Sequence, residues 1–420
     1  MVNNMFNEEV LKNGLTMYLY SDKSKNRTTA YLFTLAGSKD TTFYVDDKEH
    51  SVVNGTAHFL EHYLVERSIY GNSLQVLSED YIDYNATTGI DYTEFHISTV
   101  HDFIDNYTKL LNIVNNVSFS QDKVNDTIKP IVSEIARKED TKYLEYNRVV
   151  NNAIYKHDLY DIGLGTVEDI QNMKYTMLKE FYDAFYYPSN QIIIITGNFD
   201  EKEIVKLTED TYKEFNKENK NTKHEESNED DKLVSKYKEY NKDLKEHLFT
   251  VSYKLNFKGF TPEEKNKIDF YISYLLQSNT GTESKLYQEL VNDKLITYAF
   301  DCNFESAFNK DYPMISIYND SLNSEEVIKR LTTRLKEPIF NEDNFNRWKN
   351  NLIIERINSM EKIGFLRRNF TANLFKYNYK AVDSLDFIKS FNLDECKKLL
   401  SKLNFNDYSV VKNIVKEDTK

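Results

Sequence analysis

Apolar positions in the first half of the chain fall into short strand-like runs before they take up helical spacing. After the turn Asn13-Gly14, Leu15 to Tyr20 and Thr28 to Leu35 read as β-strands. From about Gly55 a stretch free of breakers carries His58, Leu60, His62 and Leu64 and predicts a helix. Tyr92 to Thr99 alternates polar and apolar residues, with Phe95 and Ile97 on one face, and predicts another strand. Val100 to Val114 and Asp122 to Lys138 predict two helices, and Pro130 must either kink the second or mark a late start. A helix from Met173, with Met177, Phe181, Ala184 and Phe185 on one face, leads through Tyr187-Pro188-Ser189-Asn190 into a buried strand, Ile192 to Thr196. Glu201 to Phe215 is then helical.

The pattern fails between Asn216 and Glu246. This stretch is dense in charge and almost free of large apolar residues, so it is expected to bury too little surface to offset its ordering entropy and to act as a linker. Beyond it, Phe249 to Leu255, Met314 to Tyr318 and Tyr408 to Val411 read as strands. Glu263 to Leu276, Ser284 to Asn292, Glu325 to Leu335 and Asn341 to Met360 read as helices. Strand, helix, strand, helices thus recurs in both halves, as an ancestral duplication would leave it. The expected division is a first domain at 1–215, the linker at 216–246 and a second domain at 247–420.

Composition narrows the functional classes. A length of 420 residues exceeds one ordinary core, and 40% apolar residues suffice to fill two. A formal charge of −13 disfavours nucleic acid as a partner, since a phosphate backbone needs a basic face, and leaves peptides and small molecules. The two cysteines, Cys302 and Cys396, form no C-x-x-C pair and are expected to be buried free thiols. The N-terminal stretch Met1 to Glu9 lacks a basic segment followed by an apolar run, and no run approaches the length of a membrane span. A cytoplasmic location is the expectation.

One constellation carries chemistry. In His58-Phe59-Leu60-Glu61-His62 the two histidines stand four apart and project from one helical face. Imidazoles so placed can bind one Zn²⁺, and Glu61 sits where a carboxylate can work on a nearby water without ligating the metal. This H-x-x-E-H spacing is the inverzincin arrangement. A regulatory metal-binding protein would explain the histidines but not Glu61. A catalytic zinc wants a third protein ligand. Glu134, which follows His62 by 72 positions and is flanked by Ile131 and Ile135, is one candidate; His96, His101, Glu139 and Asp140 are others.

These residues resemble the pitrilysin or insulinase-like family of zinc metallopeptidases, and within it the processing-peptidase branch of subunits of roughly 50 kDa. Gly55-Thr56-Ala57-His58-Phe59-Leu60-Glu61-His62 is similar to the family's G-x-A-H-x-x-E-H block, and Asn85-Ala86-Thr87-Thr88 to its N-A-[YF]-T-S strand. Ile131 to Ile135 resembles the block that supplies the third ligand, which implies Glu134. Gly165 to Ile170 and Tyr187 to Asn190 resemble two further landmarks.

The resemblance implies an α+β fold of two similar α/β-sandwich domains, each a mostly antiparallel sheet backed by helices. It implies one Zn²⁺ per subunit on His58, His62 and Glu134, with Glu61 as the base. Substrate would bind at Asn85, Ala86 and Thr87 as an added strand, and Tyr298, in the second domain that would complete a chamber, would hold substrate or act in catalysis by stabilising the oxyanion. It implies peptide substrates and a homodimer or a heterodimer with a homologous subunit. The family's partner arginine falls at position 291, where this chain has Val291, so the second half is expected to offer substrate fewer donors. The rival expectation is a catalytically idle, peptide-binding subunit of a two-subunit peptidase.

Overall fold

The computed structural model describes residues 5–141, 143–157, 163–242, 244–305, 310–360 and 362–415. Met1 to Asn4, part of the N-terminal stretch read above, lie outside the described residues. The chain divides into two compact units, Met1–Thr141 with Leu159–Ser227, and Lys142–Asp158 with Asn228–Lys420.

In the first unit, β1 (Asn7–Val10), β2 (Thr16–Ser21), β3 (Thr28–Thr34), β6 (Asp83–Thr88), β7 (Thr93–Thr99) and β8 (Gln191–Gly197) form a six-stranded sheet in the order β1-β2-β8-β3-β7-β6. Only β2 and β8 pair in parallel. β4 (Thr42–Val45) and β5 (Lys48–Ser51) make a hairpin that pairs with β9 (Thr222–His224). Its helices include α1 (Thr56–Glu66), α2 (Ser73–Glu79), α3 (Phe103–Asn115) and α4 (Gln121–Glu139), followed in the same unit by Val167–Gln171, Tyr175–Phe185 and Glu201–Phe215. Their apolar faces meet the sheet in one core that includes Leu32, Phe59, Leu64, Phe95, Leu110, Ile131 and Ile193. Ile193, Ile194 and Ile195 of β8 are fully buried, Ile193 and Ile195 within this core, as the unbroken apolar run predicts.

The second unit takes in α5 (Leu144–Ile154), a helix from the first half of the sequence that periodicity did not reveal. Its sheet runs β10 (Tyr237–Tyr240), β14 (Ser409–Asn413), β11 (Leu248–Lys254), β13 (Met314–Asp320), β12 (Asp301–Glu305). Only β10 and β14 are parallel. Counted along the chain, these five strands lie 1-5-2-4-3, and so do β2, β3, β6, β7 and β8 in the first unit. The repeat suspected from element order is thus a repeat of topology, with β12 holding in the second sheet the terminal place that β6 holds in the first.

The charged stretch 216–246 is divided rather than free. Residues 216–227 go with the first unit through β9, and 228–246 with the second through β10. Both cysteines are free, but Cys302 is exposed on β12 where a buried thiol was expected. No helix among the described residues is long and apolar enough to cross a membrane.

Candidate metal centre

α1 starts at a tight crossing. Gly55 has φ 80°, and a Cβ on it would stand 2.3 Å from the Leu164 carbonyl oxygen. Gly165, at φ 75°, faces it; a Cβ there would lie 2.5 Å from the Asn54 carbonyl oxygen. Only residues without a Cβ let these two segments pass so closely. The helix that follows is buried on almost every side, so His58 and Glu61, at 8% and 9% exposure, sit in a weakly screened setting.

α4 runs through Pro130 without ending. Proline has no amide proton, which frees the carbonyl of Asp126 one turn earlier. The Arg67 guanidinium, just past α1, donates to that oxygen at 3.1 Å, and Lys123 Nζ donates to the Arg67 carbonyl at 3.3 Å. α4 is therefore fastened to the end of α1 where its own ladder is interrupted. Glu134 follows one turn later, between the buried Ile131 and Ile135.

The result is a convergence of three donors. His58 Nε2 lies 3.6 Å and His62 Nε2 3.4 Å from the same oxygen, Oε2 of Glu134. Among the described residues these three are the one group of such side chains whose donor atoms all lie within 4.8 Å of one another. Two imidazoles and a carboxylate, each presenting one atom to a shared point, match the His₂Glu donor set of catalytic zinc sites. The other Glu134 oxygen pairs with Lys138 Nζ at 3.1 Å. Glu61 stays outside the donor group: its Oε2 accepts a hydrogen bond from Thr88 Oγ1 at 2.8 Å.

The electrostatics follow from burial and from this proximity. Burial first, then the neighbouring His62, pushes His58 down to about 4, so it is neutral and its lone pair is free at ordinary pH. Burial also pulls His62 down, but the Glu66 hydrogen bond and the charges of Glu61, Glu66 and Glu134 outweigh it and the net shift is upward. Glu61 is raised by burial, against the Thr88 hydrogen bond and His62. Glu134 is held low: burial opposes this, but His58, Lys138 and His62 prevail.

The cluster opens into a cavity of about 430 Å³ lined also by Val65, Leu74, Lys138 and Leu164. Asn85, Ala86 and Thr87 line it from β6, whose outer edge pairs with no strand among the described residues. The other possible ligands lie elsewhere: His96 bonds Glu94, and His101 bonds Asp102. Glu139 and Asp140, at the end of α4, are not part of the donor group. Tyr298 belongs to the second unit, between the helix Lys285–Asn292 and β12, and is 43% exposed. Val291 sits on that same helix, half-exposed. Thr88, Glu66 and Lys138 join the site without being among the residues its motifs single out as ligands, base or substrate contacts. Glu66 and Lys138 each stand four positions after a candidate ligand, and that spacing was a usable signal.

The chain is similar to several known proteins. A family model described as "Peptidase M16 inactive domain" matches residues 172–352, a stretch that excludes His58, Glu61, His62 and Glu134. The uncharacterized zinc protease YmfH of Bacillus subtilis (strain 168) is 29% identical over 306 residues, covering 71% of each chain. A chain from Alicyclobacillus acidocaldarius described as M16-like superposes with a TM-score of 0.83 at 22% identity, over 97% of this chain and 98% of that one. Pitrilysin superposes with a TM-score of 0.76 at 17% identity, over 99% of this chain but only 45% of its own length.

Proposed function

The chain belongs to the pitrilysin/insulinase-like family of zinc metallopeptidases, and we propose that it is a zinc-dependent endopeptidase that cleaves short or unfolded peptides, leader- or pro-peptide removal among them. The observation that carries this is the position of Glu61: beside three converging ligand atoms, within the same cavity, and not one of them.

His58, His62 and Glu134 would hold the ion. Zinc, when bound, supplies a Lewis acid and makes water a better nucleophile near neutral pH. Glu61 would accept a proton from the attacking water and return it to the leaving amine nitrogen as the C–N bond breaks. Thr88 holds one oxygen of that carboxylate. The unpaired edge of β6 offers backbone donors and acceptors at Asn85, Ala86 and Thr87 to an extended peptide, so recognition there would depend little on side-chain identity. Tyr298 would add a hydrogen-bonding contact from the second unit. A chain covering less than half of pitrilysin's length would work as one of a pair, with itself or with a homologous subunit.

The second reading, an idle peptide-binding subunit, draws on Val291, which offers no donors where the family has arginine. Zinc content and cleavage of an unfolded peptide separate the two. Wild type that binds one zinc and cleaves, together with Glu61→Gln that binds zinc and does not, supports the peptidase. Wild type that binds zinc and cleaves nothing, alone or with a homologous subunit, supports the idle subunit. Undiminished cleavage by Glu61→Gln would sink the assigned base.

A further inference from the structure

The two histidines of the centre are held differently. His62 Nδ1, the ring nitrogen turned away from Glu134, lies 3.3 Å from Oε1 of Glu66. His58 Nδ1 is buried and has no hydrogen-bond partner among the described residues. Glu66 stands four positions after His62 at the end of α1 and so shares its helical face.

Glu66 is itself held. Its side chain is 16% exposed, and its second oxygen stands 3.9 Å from the Arg67 guanidinium. The same guanidinium nitrogen donates to the Asp126 carbonyl that Pro130 leaves without an amide. An unbroken line therefore runs from His62 through Glu66 and Arg67 into α4, the helix that carries Glu134. Burying a carboxylate at this point costs free energy unless it is paired, and the imidazole and guanidinium are what pair it.

We propose that Glu66 is a positioning residue for the metal. Its carboxylate accepts the Nδ1 proton of His62, which fixes the tautomer whose lone pair is on Nε2, the atom that faces Glu134. It also makes that nitrogen a stronger donor and stops the ring from turning. Carboxylates placed behind ligating histidines contribute about 10- to 100-fold in metal affinity. Among the described residues His58 Nδ1 has no such partner, so of the two imidazoles it is His62 that a carboxylate orients from behind.

This rests on the zinc reading above, and the test separates the two. Metal-free protein is prepared with a chelator, and zinc affinity is measured by competition with a chromophoric chelator for wild type, Glu66→Ala and Glu66→Gln. Thermal unfolding of each metal-free form is followed in parallel. The expected result is a metal-free Glu66→Ala that melts as wild type does and binds zinc about 10- to 100-fold more weakly. Glu66→Gln keeps an acceptor for Nδ1 but not the charge, and should fall between. Wild-type affinity in folded Glu66→Ala overturns the inference while leaving the zinc reading intact. Folded wild type that binds no zinc overturns both.

Discussion

Thr88 Oγ1 donates a 2.8 Å hydrogen bond to Oε2 of Glu61, so the open-edged strand β6 and the buried helix α1 meet at one carboxylate. Glu61 is raised by burial, and the Thr88 bond is the largest influence in the opposite direction. A peptide added along β6 would press on the strand that orients the base. Removing the hydroxyl should therefore affect turnover more than binding. Thr88→Val is expected to lower kcat about 10- to 150-fold, as the loss of about 1.5–3 kcal/mol from a hydrogen bond to a charged group implies, with zinc content and KM little changed. Thr88→Ser should restore most of kcat. A Thr88→Val enzyme with unaltered kcat, or one that loses its zinc, would count against this role.

The residues that were legible in the sequence are those whose signal is local. His58, Glu61 and His62 declare themselves by spacing on one helix, and β8 by its four isoleucines. Glu134 needed the family resemblance, because spacing cannot say which of several distant acids folds back to α1. The obstacle at Pro130 has a long-range answer: Arg67, 63 positions earlier, donates to the carbonyl that the proline frees. The stretch 216–246 failed for the same reason. Its strands β9 and β10 are short and polar, and each is specified by a partner remote in sequence, β4 and β14. α5 was overlooked because its buried face, Tyr146, Val150, Ala153 and Ile154, is completed by Tyr240, Leu244 and Val411 from far downstream.

Glu229 is the sharpest case, an acid within a charge-dense run that is 8% exposed. Its Oε2 accepts from Lys254 Nζ at 2.6 Å and its Oε1 from the Lys156 amide at 2.6 Å. Lys254 Nζ donates further to the carbonyls of Ile154 and Lys232, so one ion pair ties three separate segments of the second unit together. Glu229→Ala leaves a buried ammonium uncompensated and is expected to cost about 3–5 kcal/mol. Glu229→Ala combined with Lys254→Met should cost less than Glu229→Ala alone, since the stranded charge is gone. Trp348, the single tryptophan, lies in the second unit and reports its urea unfolding by fluorescence. Equal stability of Glu229→Ala and wild type would show that the pair contributes nothing.

Lys217 gives the first unit a pH dependence of a particular sign. Its Nζ donates to Asn115 Oδ1 at 3.2 Å, to the Tyr182 hydroxyl at 2.6 Å and to the Tyr186 carbonyl at 2.9 Å, and stands 4.2 Å from the centre of the Tyr182 ring. Burial, only partly opposed by Asp183, lowers it to about 7. In the unfolded chain a lysine titrates near 10.4, so between these values the unfolded state binds more protons than the folded one. Stability from this group therefore rises with pH across that window, by at most about 1.4 kcal/mol per pH unit, and is flat below it. The buried phenols of Tyr182 and Tyr212, raised by their own burial, act in the opposite direction only once unfolded tyrosines titrate near 10. Urea midpoints from pH 7 to 9 thus isolate the lysine. Wild type should gain stability relative to Lys217→Met over this interval, because methionine has the length to fill the site and no proton to lose. Parallel curves for the two proteins would mean that Lys217 stays charged in the fold, held by its three acceptors and the Tyr182 ring.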